Sequence, residues 1–128
     1  MHEIKFRAWD GRKICGVKNI EFAEEGVCVT KDDGYFGYLG SDIELLQYTG
    51  LKDKHGQEIY RGHIFDCSYV NPMTGEKVLK LYEVVFRKGS FMAKHKDSPY
   101  GDTLLHFINK TGKVVGCIYE NLELLKGE

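Results

Sequence analysis

The chain has 128 residues, a formal net charge of -1, 42% hydrophobic and 29% charged residues. That length and balance fit one compact domain, or at most two small β units sharing a core, with enough surface buried on folding that neither disulfides nor metals are obligatory. A charge so close to zero excludes dominant electrostatic attraction to nucleic acid or to an anionic membrane. The charge is uneven, however: residues 1–50 carry six Lys or Arg against nine Asp or Glu, a balance of -3, and residues 51–128 carry twelve against ten, a balance of +2.

No apolar run approaches the ~20 residues of a membrane-spanning helix, and the opening Met1-His2-Glu3-Ile4-Lys5-Phe6-Arg7 lacks the apolar core of a secretory signal, so the expected location is cytoplasmic, with no membrane partner. The four cysteines, Cys15, Cys28, Cys67 and Cys117, are far apart and show no paired spacing. They read as small apolar residues at strand positions in a reducing compartment, and no metal or other cofactor is expected.

Alternation of apolar and polar residues dominates the chain and helical periodicity is nearly absent, which predicts a mainly β fold. In the first segment, Ile4, Phe6 and Ala8 alternate with Lys5, Arg7 and Trp9, the pattern of a half-buried strand. Asp10-Gly11 turns the chain into a second strand containing Ile14 and Val17. Glu24-Glu25-Gly26 and Asp32-Asp33-Gly34 are further turns, separating Val27-Cys28-Val29 from the aromatic run Tyr35 to Leu39. Ile43 to Tyr48 follows Ser41-Asp42, a good helix cap, yet Gln47 to Thr49 favour strand. Gly50 to Gly62 then reads as a polar connection between an N-terminal β-sheet, residues 1–50, and a C-terminal unit, residues 51–128.

The C-terminal half predicts five strands: His63 to Tyr69, Lys77 to Arg87, Ser90 to His95, Thr103 to Ile108 and Lys113 to Glu120. Turn residues separate them: Asn71-Pro72 with Gly75, Lys88-Gly89, Pro99 with Gly101, and Thr111-Gly112. Five short strands in about 60 residues suggest a small closed or partly open barrel, since closure removes exposed edges. A terminal turn over Asn121 to Leu125 would plug one end.

Three blocks resemble the YopX family of phage and prophage proteins, whose function is uncharacterised. They are Ile4 to Asp10; Gln47 to Lys54 continuing through Gly56 and Glu58 to Gly62; and Val115 to Asn121 followed by Glu123-Leu124-Leu125. The resemblance implies a mostly β phage or prophage accessory protein of the bacterial host's cytoplasm, with an SH3-like β-barrel in the C-terminal half and self-association into a homo-oligomer. It supplies no catalytic residue. His63 stands where such proteins commonly carry an acidic residue, and Leu122 replaces a common proline. Within the shared blocks, Tyr48, Gly50, Asp53, Gly56, Ile59, Tyr60, Gly62, Tyr119 and Asn121 read as an architectural signature: a sharp turn, a surface crossing and a docking point into the barrel.

No phosphate-cradling glycine loop, paired zinc ligands, nucleophile elbow or calcium loop is present, so the chain does not read as an enzyme. His63, Asp66, His95 and His106 are the weak catalytic candidates, each with a simpler role as a polar strand position. The preferred function is a non-catalytic interaction or assembly module, the partner being a second copy or another phage or host protein. Eight tyrosines supply contacts with a polar tip suited to interfaces. The alternative is a small oligonucleotide-binding barrel with weak, salt-sensitive affinity. In it Lys77, Lys80, Arg87, Lys88, Lys94 and Lys96 would meet phosphates, while Tyr82, Phe86 and Phe91 stack on bases.

Overall fold

The computed structural model describes residues 3–95 and 102–126, and the chain divides into two compact units, Met1–Tyr48 and Thr49–Glu128. In the first, β1 (Phe6–Trp9) lies between β2 (Ile14–Ala23) and β5 (Glu44–Lys52), antiparallel to both; β3 (Gly26–Lys31) and β4 (Phe36–Tyr38) continue the order β4-β3-β2-β1-β5. The core is small. Ala8, Val29 and Ile43 are its buried centre, with Val17, Val27 and Leu45 packed against them. Alternation explains the choice: Val27, Val29 and Lys31 share the inward face of β3, so a lysine is sent where a third apolar residue would be expected. The segment after Ser41-Asp42 is strand from Glu44 to Lys52, because its residues pair with β1 in continuous register from Phe6↔Gln47 to Trp9↔Glu44. Ile4, expected on the buried face of β1, is exposed and lies before the strand begins.

The second unit starts with the last residues of β5, beside β6 (Glu58–Tyr60). Its main sheet has the order β12-β11-β10-β7-β13, from β7 (His63–Asp66), β10 (Leu81–Arg87), β11 (Ser90–His95), β12 (Thr103–Leu104) and β13 (Lys113–Cys117). β12 and β13 are the two ends of that order, so the described strands form an open antiparallel sheet and not a closed barrel. Ile59, Phe65, Val84, Ala93 and Leu105 form the buried centre, with Leu51, Cys67, Tyr82, Phe91, Ile108 and Val114 around it. At the β10–β11 turn Lys88 has φ 53° and Gly89 φ 77°, the pair of positive values a two-residue hairpin needs for its twist to match the strands.

Three predicted strands are interrupted. His63 to Tyr69 and Lys77 to Arg87 each break, leaving a separate ribbon of β8 (Tyr69–Val70) and β9 (Lys77–Val78). At the break, Lys80 donates its N–H to the Ser68 hydroxyl at 2.9 Å and Ser68 donates its own to the Asp66 carboxylate at 2.8 Å. Side chains there replace ladder partners and redirect both strands. Thr103 to Ile108, expected as strand throughout, becomes the helical turn α1 (Leu105–Ile108) after two residues of β12. Leu105 and Ile108, three apart, both reach the core from one helical face, while Phe107 is left exposed; strand alternation would have placed Leu105 and Phe107 together. β13 ends at Cys117 instead of Glu120, and the expected terminal turn is a short helix, α2 (Glu123–Lys126). The turn expected at Pro99 and Gly101 lies outside the described residues. No helix among those described is long and apolar enough to cross a membrane.

Candidate functional site

The middle signature block is organised around one carboxylate. Asp53 is buried; its Oδ1 accepts the N–H of His55 and of Gln57, both at 2.9 Å, and its Oδ2 accepts the N–H of Val114 in β13 at 2.9 Å. Burial works against the charge, but those three donors outweigh it and hold the carboxyl below its usual range. Lys54 donates its N–H to Gly112 O at 3.0 Å, and the Asn109 amide donates to Lys52 O at 2.7 Å. The connection from β5 to β6 is thereby tied to β13 and to the residue after α1. Thr49 Oγ1 donates to Ile59 O at 2.8 Å, fixing the opposite side of the same loop.

The remaining signature residues close the second unit locally. Gly62, with φ 92°, donates its N–H to Val84 O and accepts the N–H of Ile118, a turn that a side chain would strain. Tyr60 donates its N–H to His63 Nδ1 at 3.0 Å and packs edge-on against that ring. Arg61 donates to the Tyr119 hydroxyl at 3.3 Å. The Asn121 carbonyl accepts the Cys117 N–H at 3.2 Å, and Asn121 lies so close to Gly116 that a Cβ there would meet its side-chain oxygen at 2.6 Å.

The basic hairpin is less concentrated than its sequence. In β10 and β11, Tyr82, Val84 and Phe86 lie opposite His95, Ala93 and Phe91 on the core-facing side, whereas Glu83, Val85 and Arg87 lie opposite Lys94, Met92 and Ser90 on the other. Phe86 and Phe91 pack edge-on at 4.9 Å, and Tyr82 packs on His95 at 5.2 Å. Arg87 is paired to Asp102 at 2.9 Å, Glu83 sits directly across from Lys94, and Lys80 lies over the Tyr69 ring at 5.7 Å. Lys88 occupies the exposed turn, Lys77 is on the separate ribbon, and Lys96 lies outside the described residues. Aromatic rings and cations thus occupy opposite faces of the hairpin.

His63 and Asp66 stand at opposite ends of β7. His95 is two strands away in β11 and His106 is on α1 against Phe107. Among the described residues, no group of three His, Cys, Asp or Glu side chains could hold a metal ion. The four thiols are free; burial pushes those of Cys67 and Cys117 above their ordinary value.

Sequence reading missed the most concentrated charge cluster, in the first unit. Lys31 is wholly shielded from solvent; its ammonium meets Asp10 Oδ2 at 2.5 Å and Asp33 Oδ2 at 3.5 Å, and lies 5.7 Å from the centre of the Tyr35 ring. The bond from Lys31, aided by the Lys13 and Arg12 N–H groups, holds the Asp10 carboxyl far below its ordinary value. Burial opposes the Lys31 charge, but Asp10 chiefly outweighs it, with Cys15 and Asp33 helping, and the ammonium is pushed above its ordinary value. The available signal was alternation: Lys31 follows Val27 and Val29 on one face, and Asp10 lies two positions past Ala8.

A model of the family described as YopX protein matches residues 5–126. The fold is similar to the crystal structure of protein EF1440 from Enterococcus faecalis, with a TM-score of 0.62 and 23% identity over 98% of this chain and 99% of that one. It is also similar to the crystal structure of protein yopX from Bacillus subtilis, with a TM-score of 0.57 and 21% identity over 94% of this chain and 96% of that one. No curated protein matches the chain.

Proposed function

Because the chain belongs to the YopX family, we propose that it is a phage or prophage accessory protein that acts by binding, not catalysis, and that its first partner is a second copy of itself. The observation that carries this reading is a pair of exposed apolar projections with opposite charge. In the first unit, the β2–β3 tip presents Phe22, 82% exposed, beside Glu21, Glu24 and Glu25. In the second, the β8–β9 ribbon presents Tyr69, Val70 and Met73, the last 90% exposed, beside Lys77 and Lys80. Each tip buries little at home; the first is acidic, and the second, with Glu76 against Lys77 and Lys80, is net basic. Such a contact joins two different patches, so it builds a ring or a filament depending on the rotation between copies.

Side chains, not strand edges, are the attachment points. At the β4 edge, Tyr38 donates its N–H to the Asp42 carboxylate at 2.8 Å, and its C=O accepts the Asp42 and Ile43 N–H groups. That cover occupies the Tyr38 groups an added strand would use. The five-stranded sheet of the second unit, with its bulge between Val114 and Gly116, supports reading that unit as an SH3-like, partly open barrel, a scaffold that suits binding. A phage or host protein could take the place of the second copy on the same projections. The oligonucleotide reading has less support, because stacking and phosphate contact would have to come from opposite faces of one hairpin.

Light scattering at micromolar concentration tests the proposal. A defined multimer that dissociates as salt is raised is expected. A monomer under low-salt conditions contradicts it.

A further inference from the structure

Between the β1–β2 and β3–β4 turns lies a hollow of about 420 Å³ lined by Asp10, Arg12, Lys13, Asp33 and Tyr35. That volume is in the range of small-molecule sites. Its chemistry follows from which polar groups are already committed. Asp10 Oδ1 accepts the N–H groups of Arg12 and Lys13 at 2.8 and 3.0 Å, and Oδ2 accepts from Lys31. Asp33 Oδ1 accepts the Tyr35 N–H at 3.0 Å, and Oδ2 faces Lys13 at 3.2 Å as well as Lys31. Both carboxylates are therefore spent on protein donors and have little to offer a cation.

The uncommitted groups at the rim are donors. Arg12 is exposed, and its guanidinium makes no hydrogen bond or ion pair among the described residues. Lys13 is also exposed and uses one carboxylate partner for three N–H donors. The lining sets Lys13 and Arg12 against two carboxylates, and the shielded Lys31 ammonium behind them takes up part of the charge of both. Tyr35 is partly exposed, with the Lys31 ammonium near its ring. A planar guanidinium fork beside an ammonium matches the oxygens of a phosphate, and an aromatic wall matches a flat ring.

We propose that this hollow binds a phosphate monoester carrying a flat aromatic ring, of which a nucleoside monophosphate is the simplest form: Arg12 and Lys13 hold the phosphate, and Tyr35 stacks on the ring. The site is separate from the projections assigned to assembly and does not depend on them.

Isothermal titration of the full chain with adenosine monophosphate, inorganic phosphate and adenosine tests this. The monophosphate should bind saturably and more tightly than either fragment. Arg12→Ala with Lys13→Ala should weaken it by about tenfold or more, and Tyr35→Leu should weaken it while leaving inorganic phosphate unchanged. Should the double variant melt early, Arg12→Gln alone, whose side chain supports nothing in the fold, must show the loss. No saturable heat with the monophosphate, equal affinity for adenosine, or undiminished binding in a folded Arg12→Gln variant would each overturn the site.

Discussion

The two units solve the same problem of holding a small sheet together with different materials. The first packs a small cluster of Ala8, Val29 and Ile43 and places a lysine ion-paired to Asp10 on the same inward face. The second packs a larger cluster of Ile59, Phe65, Val84, Ala93 and Leu105, and has a loop carboxylate that accepts three backbone N–H groups. The difference teaches that a sheet too small to fill its interior can complete it with a buried charge pair, at the cost of tying its stability to protonation.

The sharpest way to break the comparison is to damage each interior in turn. Phe65→Ala should remove about 3–5 kcal/mol from the second unit, as for other buried aromatics, read from urea denaturation by circular dichroism. Lys31→Met should come next: it leaves the Asp10 carboxylate shielded without its partner, so the first unit should unfold at lower urea. Trp9, the chain's one tryptophan, lies in β1 and reports that unit by fluorescence. If Lys31→Met leaves the Trp9 transition in place, the ion pair is not what completes this interior. Asp53→Ala should cost about 2 kcal/mol or more by stripping three N–H groups of their acceptor, and its effect should appear in circular dichroism ahead of Trp9 fluorescence.

Titration sharpens the contrast further. Asp10 and Asp33 have lowered pKa values in the folded chain, so their contribution is fully present above about pH 4, the unfolded value, and is lost as pH falls toward the folded ones. Lys31 is raised, so its contribution is complete below about pH 10.4 and is lost as pH rises through the folded value. Asp53 gives the second unit its acid limb, and the Cys67 and Cys117 thiols, raised by burial above their ordinary value, add an alkaline limb with no ion pair behind it. Trp9 fluorescence should therefore report loosening at both extremes. The smallest expected effect is that of Lys88→Glu with Lys94→Glu, two exposed side chains whose reversal should cost less than about 1 kcal/mol, chiefly by setting a second carboxylate opposite Glu83. A salt-dependent fluorescence shift on a labelled oligonucleotide that this pair abolishes would restore the nucleic-acid reading.

Much of the strand order could be read from the chain because alternation and glycine turns are local signals. Lys88-Gly89 and Asp10-Gly11 fall in the turns they predict, and Ser90 to His95 is a strand over its full predicted length. The errors arise where a distant partner decides. Ser68 meets Lys80 only after both strands are paired, and α1 forms because the core takes Leu105 and Ile108 together. The candidate sites follow the same rule. Clustering of lysines along the sequence says nothing of which face each occupies, so Arg87 and Lys94 part from Phe86 and Phe91. Lys31 was legible by its phase with Val29, but a charged residue in an apolar register is easily read as a strand end.

The central claim is that opposite charges on two apolar projections join one copy to the next, and mixing two variants tests it most directly. Glu24→Lys with Glu25→Lys makes both projections basic; Lys77→Glu with Lys80→Glu makes both acidic. Each variant alone should stay monomeric by sedimentation velocity, and the equimolar mixture should regain the assembly, since every contact then joins unlike charges. Assembly of either variant alone, or a mixture that remains monomeric, would contradict the account.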